Sequence, residues 1–329
     1  MDTQAAPEEQ GRKVVDLLGF RHFFMDLGHS MQRTAQITMA TAFQTFVAPA
    51  KPRNQIWRLI AGLIVIAAAW IGGTIGILWL SAPSMEGLAA LGEDLSNPTS
   101  PRPMLILLLT FAGPFVGVII AAALLHRRGP LSLIGPFAGF RANFARVLLA
   151  ALVIYGLILV LSLIWARPIP NLEMQTWVRF LLPALALVLL QTGAEELVFR
   201  GYMMQQLAAR FKSRWMWIGL PSLAFGLMHF DAQAGLDIAI MIVLATGLFG
   251  LIAADLTHRT GNLGAAWALH FCNNVAALLI VALDGQMTGL ALYVTPYSFE
   301  DSDLLRRVLI GDMVAQIITW LIIVRILRR

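Results

Sequence analysis

Long apolar runs without a formal charge are the feature that most constrains this chain. Leu59 to Leu80 and Met104 to Leu125 each contain 22 residues without Asp, Glu, Lys or Arg, and a helix of that length crosses the roughly 30 Å hydrocarbon core of a bilayer. Six further segments are interpreted as spans three to eight: Val147 to Trp165, Phe180 to Leu197, Trp215 to His229, Ile238 to Ala254, Leu263 to Leu283 and Val308 to Val324. Only 13% of the residues are charged, against roughly a quarter in soluble domains. The sequence therefore predicts an all-α polytopic membrane protein with about eight transmembrane helices and excludes a soluble enzyme.

The basic residues favour one orientation of these spans. Of the 24 Lys and Arg residues, 18 fall on one side of the predicted spans, five on the other, and Arg200 lies at the end of span four. Because cytoplasmic loops retain positive charge, we expect both termini in the cytoplasm of a multi-pass protein of a bacterial-type plasma membrane. The net charge of +5 is then a topology signal that favours anionic lipid at the cytoplasmic face, and no nucleic-acid partner is expected.

Two regions are predicted along the chain. Residues 1–58 form an arm, either an interfacial amphipathic helix between Val14 and Val47 or a partly ordered cytoplasmic tail. Residues 59–329 form the membrane domain. Within this domain Gly129 and Pro130 break the chain after span two, and Ser132 to Ala145 is interpreted as an interfacial stretch before span three.

Ionisable residues within spans mark the candidate site. Each costs about 2.5 to 3.5 kcal/mol on insertion scales, so its presence indicates function. Span four ends in Glu195, Glu196 and Arg200. On a helix Glu196 and Arg200 stand at i and i+4, the spacing of an ion pair, whereas Glu195 points about 100° away. This arrangement leaves Glu195 available as a general base.

Two histidines and an amide lie in later spans. His229 closes span five, and His270 shares one face of span seven with Asn274 at i and i+4. Together with Glu195 they would bind and activate a water, either through a divalent metal such as Zn²⁺ or directly through hydrogen bonds. The chemistry that results is hydrolysis.

The depth of His229 in the membrane needs one further assumption. Counted from Trp215, His229 would lie about 14 residues, or roughly 21 Å, from the cytoplasmic surface, much deeper than Glu195 or His270. We expect the helix to begin instead near Pro221 or Ser222, because proline suits a first turn and serine caps a helix. His229 would then lie seven or eight residues deep.

The series Glu195-Glu196-x-x-x-Arg200, Phe225-x-x-x-His229 and His270-x-x-x-Asn274 resembles the motifs of the CPBP family of intramembrane proteases, also known as the Abi or CAAX-protease family. This family includes the CAAX prenyl endopeptidases and proteins linked to bacteriocin processing and self-immunity. The resemblance covers a catalytic core at about residues 180–283, and the first 179 residues match only in being membrane spans.

The resemblance implies roles for these residues. Glu195 would activate the attacking water, and Asn274 would stabilise the oxyanion. His229 and His270 would hold the water or a metal. Glu196 and Arg200 would position the first motif, and Phe225 would pack beside the site. Members of the family are described both as metalloproteases and as glutamate-dependent proteases, so the cofactor is either a divalent metal held by Glu195, His229 and His270 or none.

The leading hypothesis is an intramembrane endopeptidase that hydrolyses peptide bonds near the cytoplasmic leaflet. Its partner would be a membrane protein or peptide that serves as the substrate. The resemblance implies that this substrate can be lipidated. The alternative is a non-enzymatic membrane protein. That protein would be an ion- or proton-coupled transporter using Glu195, His229 and His270 as a relay, or a bacteriocin immunity or scaffold protein that retains the motif. A transporter would favour internal repeats in matching halves, and the sequence shows none.

Overall fold

A computed structural model describes residues 41–165, 167–298 and 300–328. The fold is nearly all α, and six helical segments of the described chain are long and apolar enough to cross a membrane, one of them formed by two consecutive helices over Pro101–His126. The all-α fold class is therefore confirmed, but the count of eight spans is not, because six of the predicted spans have the length and composition of a span. Predicted spans five and seven correspond to shorter apolar helices, Trp215–Leu227 and Gly264–Ile280.

Helices of nine residues or more account for most of the described chain. In order they are α1 Ile56–Ser81, α2 Met85–Ser96, α3 Pro101–Leu109, α4 Ala112–His126, α5 Phe137–Trp165, α6 Met174–Arg210, α7 Trp215–Leu227, α8 Leu236–Thr260, α9 Gly264–Ile280 and α10 Ser302–Leu327. Shorter helical turns are Ala48–Arg53, Leu131–Ile134, Ala232–Ala234 and Thr288–Leu290. The strands are β1 Ile169–Pro170, β2 Val281–Ala282 and β3 Tyr293–Val294, where β3 pairs antiparallel with β1 and parallel with β2.

Three helices contain π-helical segments. These segments are Leu197–Met204 in α6, Trp215–Gly219 in α7 and Ala276–Ile280 in α9. Such segments are rare and are frequently found at functional sites. Each of these three helices carries a residue of the predicted motifs.

The predicted start of span three at Val147 is wrong, because α5 already begins at Phe137, inside the stretch Ser132 to Ala145 that is interpreted from the sequence as interfacial. The backbone N–H of Phe140 donates to the carbonyl of Pro136, which starts the helix. The early turns of α5 are held against the bundle by Phe140 and Phe144, whose rings pack on Trp267 of α9. A break in hydropathy therefore did not mark a break in the helix.

The predicted start of the helix before His229 is also wrong. α7 begins at Trp215 rather than near Pro221, and α6 continues to Arg210 rather than ending near Leu197. Glu195 and His229 then lie about 15 and 14 residues, roughly 22 and 21 Å, from Arg210 and Trp215. Glu195 and His229 therefore lie at similar distances from the connection between α6 and α7 because α6 is long, and not because α7 is short.

The start of α9 lies inside the bundle. The backbone N–H of Leu263 donates to the carbonyl of Ile134 at 3.0 Å, and a Cβ added to Gly201 of α6 would meet the Leu133 carbonyl at 2.8 Å. The beginning of α9 is therefore level with Gly201, about one turn beyond Glu196. His270, six residues into α9, reaches the same level as the two glutamates.

Residues 1–40 lie outside the described residues, so most of the predicted arm, including its amphipathic segment, is not described. Residues 41–47 are helical and continue into the turn Ala48–Arg53. Phe46 and Ala50 are buried, and Asn54 donates to the carbonyl of Ala209 at 2.8 Å. This part of the chain packs against the end of α6 that carries Arg210.

Candidate active site

Glu196 is the buried centre of the first motif. Its side chain is fully buried, and its Oε1 accepts a hydrogen bond from Arg200 at 2.9 Å, so the expected ion pair is present. The Arg200 guanidinium also donates to the carbonyl of Gly250 at 3.3 Å and lies 4.8 Å from the centre of the Phe225 ring. A buried charge without its partner costs several kcal/mol. Glu196 and Arg200 therefore stabilise each other as a pair.

His270 connects the two glutamates. Its Nδ1 lies 2.8 Å from Glu196 Oε1, and its Nε2 lies 3.3 Å from Glu195 Oε2. A carboxylate oxygen can only accept, so Nδ1 carries a hydrogen and donates to Glu196. The Nε2 atom then faces Glu195, and the two side chains form an ion pair when Nε2 also carries a hydrogen. Sequence analysis assigned these residues to one site but did not foresee that His270 touches Glu196 as well as Glu195.

Glu195 is the accessible carboxylate of the pair. Its side chain is 15% exposed, whereas that of Glu196 is 0% exposed. Glu195 Oε2 makes no hydrogen bond to the described residues, so its 3.3 Å approach to His270 Nε2 is an ion-pair contact by distance.

His229 lies in the turn that follows α7 and is half-buried. Its Nδ1 is 2.8 Å from the carbonyl oxygen of Phe225, so Nδ1 donates and Nε2 is left without a partner in the described chain. The Phe225 ring lies 4.8 Å from the His229 ring and 5.8 Å from the His270 ring, centre to centre. Phe225 thus joins His229 to the site through packing, as expected for a residue beside it. No hydrogen bond among the described residues links His229 to Glu195 or His270.

Asn274 lies one turn after His270, and its Nδ2 donates to Gln191 Oε1 at 2.8 Å. Gln191 is buried, on α6 one turn before Glu195. Sequence analysis missed Gln191, although a polar side chain in an apolar span one turn from a glutamate was a usable signal. It also missed Phe249 of α8, whose ring centre lies 4.9 Å from that of His270.

The predicted metal ligands are not assembled as a metal site. Within the described residues no three His, Cys, Asp or Glu side chains are arranged so that they could hold a metal ion. Glu195 and His270 are adjacent, but the Nδ1 of His229 is taken by its own helix. In this arrangement the side chains fit hydrogen bonding and proton transfer.

An apolar cavity of about 430 Å³ lies between the early part of α5 and parts of α4, α6 and α9. Its wall includes Leu189 and Leu197 of α6 and Trp267 of α9, which flank the glutamates and His270 in sequence. The remaining lining is also apolar: Phe115, Ile119, Pro130, Leu131, Leu133, Ile134, Phe140 and Phe144. Gly193 makes room for this wall, because a Cβ at that position would overlap the Trp267 ring. The cavity is within the volume range of small-molecule sites.

Comparisons with known proteins identify one relative and one matching family. The chain is similar to the uncharacterized protein YyaK of Bacillus subtilis (strain 168), with 23% identity over 256 residues that cover 74% of this chain and 84% of YyaK. No solved structure matches the chain. Residues 177–276 match the family described as type II CAAX prenyl endopeptidase Rce1-like. This segment carries Glu195, Glu196, Arg200, Phe225, His229, His270 and Asn274, and its match confirms the resemblance of the chain to the CPBP, or CAAX-protease, family.

Proposed function

We propose that this protein is an intramembrane endopeptidase that cleaves peptide bonds with a water activated by Glu195. The observation that carries the proposal is the 3.3 Å contact between Glu195 and His270, held by the buried pair of Glu196 and Arg200. A base must lie within hydrogen-bond reach of the proton it takes and must be held in orientation. Glu195 is the accessible carboxylate, and His270 orients it.

The proposed reaction begins with a hydrogen on His270 Nε2 and Glu195 as a carboxylate. Glu195 takes a proton from water, and the water oxygen forms a bond to the scissile carbonyl carbon. The carbonyl electrons move to oxygen, and an Asn274 N–H donates to that oxyanion. When the C–N bond breaks, Glu195 returns the proton to the leaving nitrogen. Glu196 stabilises the His270 imidazolium throughout.

His229 enters the proposal as a hydrogen-bond partner of the water or of the substrate, through its free Nε2. A divalent metal held by Glu195, His229 and His270 is supported by the family resemblance, since some members are described as metalloproteases. For that metal site, His229 would have to move toward Glu195 and His270.

The proposed substrate is a membrane protein or peptide that carries a lipid chain. The family resemblance supports this choice, and the apolar cavity lined by Leu189, Leu197 and Trp267 offers a lining suited to an apolar chain. A lipid chain in this cavity would hold the neighbouring peptide bond near the cluster and would supply binding energy for orientation.

We further propose that both termini face the cytoplasm of a bacterial-type plasma membrane. Basic residues of separate segments gather at one end of the bundle: Arg53 donates to the carbonyl of His126, next to Arg127 and Arg128. Anionic lipid would bind at that end. A reporter fused to the C-terminus and active only in the cytoplasm tests this orientation.

The test of function is cleavage of a fluorogenic lipidated peptide by the purified full-length protein. Glu195→Ala is expected to reduce kcat by about 10²- to 10⁴-fold, the usual contribution of a general base. Its thermal stability should match that of the native chain, since the Glu196–Arg200 pair is intact. The matched control is Glu93→Ala, an exposed glutamate on α2, which should cleave normally. Retained cleavage by Glu195→Ala would contradict the proposed role of Glu195, whereas no cleavage by the native chain would favour a transporter, immunity or scaffold role.

A further inference from the structure

A chain of three hydrogen bonds joins α5, α9 and α6 through side chains. The Tyr155 hydroxyl donates to Asn273 Oδ1 at 3.0 Å, Asn273 Nδ2 donates to Asn274 Oδ1 at 3.2 Å, and Asn274 Nδ2 donates to Gln191 Oε1 at 2.8 Å. Every donor lies on the Tyr155 side and every acceptor on the Gln191 side. Bonds aligned in this way polarise one another and act as a unit.

The chain fixes the amide of Asn274 at both ends. Its Oδ1 accepts from Asn273 and one of its N–H groups donates to Gln191, so turning the amide over would break both bonds. A side-chain amide has two N–H donors. The second donor of Asn274 makes no hydrogen bond to the described residues, and its direction is set by the two bonds beside it.

The Gln191–Asn274 bond lies one helical turn from the Glu195–His270 contact. Gln191 and Glu195 are i and i+4 on α6, and His270 and Asn274 are i and i+4 on α9, so each pair shares a helix face. The two helices therefore face each other through two polar contacts in succession, 2.8 Å and 3.3 Å long. The free N–H of Asn274 is thereby held beside the carboxylate proposed to activate water.

We infer that Gln191 and Tyr155 are positioning residues for the reaction, which hold the free N–H of Asn274 in the direction of the substrate carbonyl. This inference rests on the proposed function and adds to it two residues outside the three motifs. Apolar side chains would fill the same volume without the cost of burying polar groups among membrane helices. An oxyanion donor is effective only when it is oriented before the reaction begins, and the hydrogen-bond chain supplies that orientation.

The test measures kcat and KM of the full-length protein with the lipidated peptide for Gln191→Leu, Tyr155→Phe and Asn274→Ala. Asn274→Ala removes the donor and should lower kcat by about 10²- to 10³-fold. Gln191→Leu and Tyr155→Phe should each lower kcat by a smaller factor and leave KM unchanged, because substrate binding uses other contacts. The matched control is Gln316→Leu, which removes the same amide from α10, where it donates to Asp312.

The double variant Gln191→Leu with Asn274→Ala separates positioning from a structural role. If Gln191 acts through Asn274, the double variant is no slower than Asn274→Ala alone. If the two losses multiply, or if Gln191→Leu raises KM with kcat unchanged, the inference is overturned. Tyr155→Phe deletes a single oxygen and keeps the ring, so it tests the same chain if Gln191→Leu does not fold.

The outcome for Glu195→Ala distinguishes this inference from the function it rests on. Cleavage retained by Glu195→Ala contradicts the proposed function itself. Cleavage lost by Glu195→Ala but retained at full kcat by both Gln191→Leu and Tyr155→Phe leaves the proposed function intact and overturns only the positioning role.

Discussion

Helices α1 and α6 are both apolar spans, yet they use their side chains in opposite ways. Only 6% of the residues in the apolar stretch of α1 are buried, against 33% of those in the apolar stretch of α6. Ile64 and Ile71 of α1 are more than 60% exposed, as expected of side chains that face lipid. α6 instead turns Glu196 and Arg200 inward as a buried pair. The exposure of α1 follows from its average hydropathy, whereas the burial of α6 depends on individual side-chain contacts.

The largest effect on α6 is expected from Arg200→Ala. It leaves Glu196 buried without its cation, and removing one partner of a buried pair costs about 3 to 5 kcal/mol. We expect a large fall in the unfolding temperature together with loss of cleavage, because Glu196 also orients His270. Thermal unfolding in detergent and the peptide assay measure the two effects.

The matched control for Arg200→Ala is Asp303→Ala, which removes an ion-pair partner of Arg306 at the exposed start of α10. Water screens this pair, so the unfolding temperature should not change. Equal falls in the unfolding temperature for the two variants would show that burial does not determine how much the Glu196–Arg200 pair stabilises the protein.

A smaller contrast comes from two glycines. Alanine at Gly193 of α6 would place its Cβ against the Trp267 ring, whereas nothing lies within 4 Å of a Cβ at Gly72 of α1. Gly193→Ala should lower the free energy of unfolding by about 1 to 3 kcal/mol through overpacking. Gly72→Ala should leave it unchanged or raise it by up to about 1 kcal/mol, since alanine favours helix. If Gly193→Ala does not lower the free energy of unfolding, the Trp267 ring is free to move. The shape of the apolar cavity that this ring lines would then change as well.

The smallest effect is expected from removal of metal. Because the described residues do not assemble a three-ligand site, dialysis against a chelator should leave kcat unchanged. Metal analysis of the same samples provides the control. Cleavage that is lost on dialysis and restored by Zn²⁺ would show that His229 joins Glu195 and His270 in the working enzyme.

Local rules were enough for some features of the site. The i, i+4 spacing predicted the Glu196–Arg200 pair, and the coincidence of motifs in apolar helices predicted that Glu195 and His270 belong together. Both inferences need only the helical repeat and the cost of charge in a bilayer. Local rules failed for the end of α6 and the start of α7, because π-helical segments continue the helices through sequence that reads as a boundary.

The sequence by itself determined that this chain is an all-α membrane protein and which few ionisable residues its spans must accommodate, because hydropathy and helical spacing are properties of neighbouring residues. Only the tertiary structure decided that His270 lies between Glu196 and Glu195, that Gln191 accepts from Asn274, and that His229 joins the site through Phe225. Those contacts join residues 74 to 83 positions apart or depend on where a helix ends. They follow from how deep each helix starts and which face it turns inward, which the packing of neighbouring helices sets.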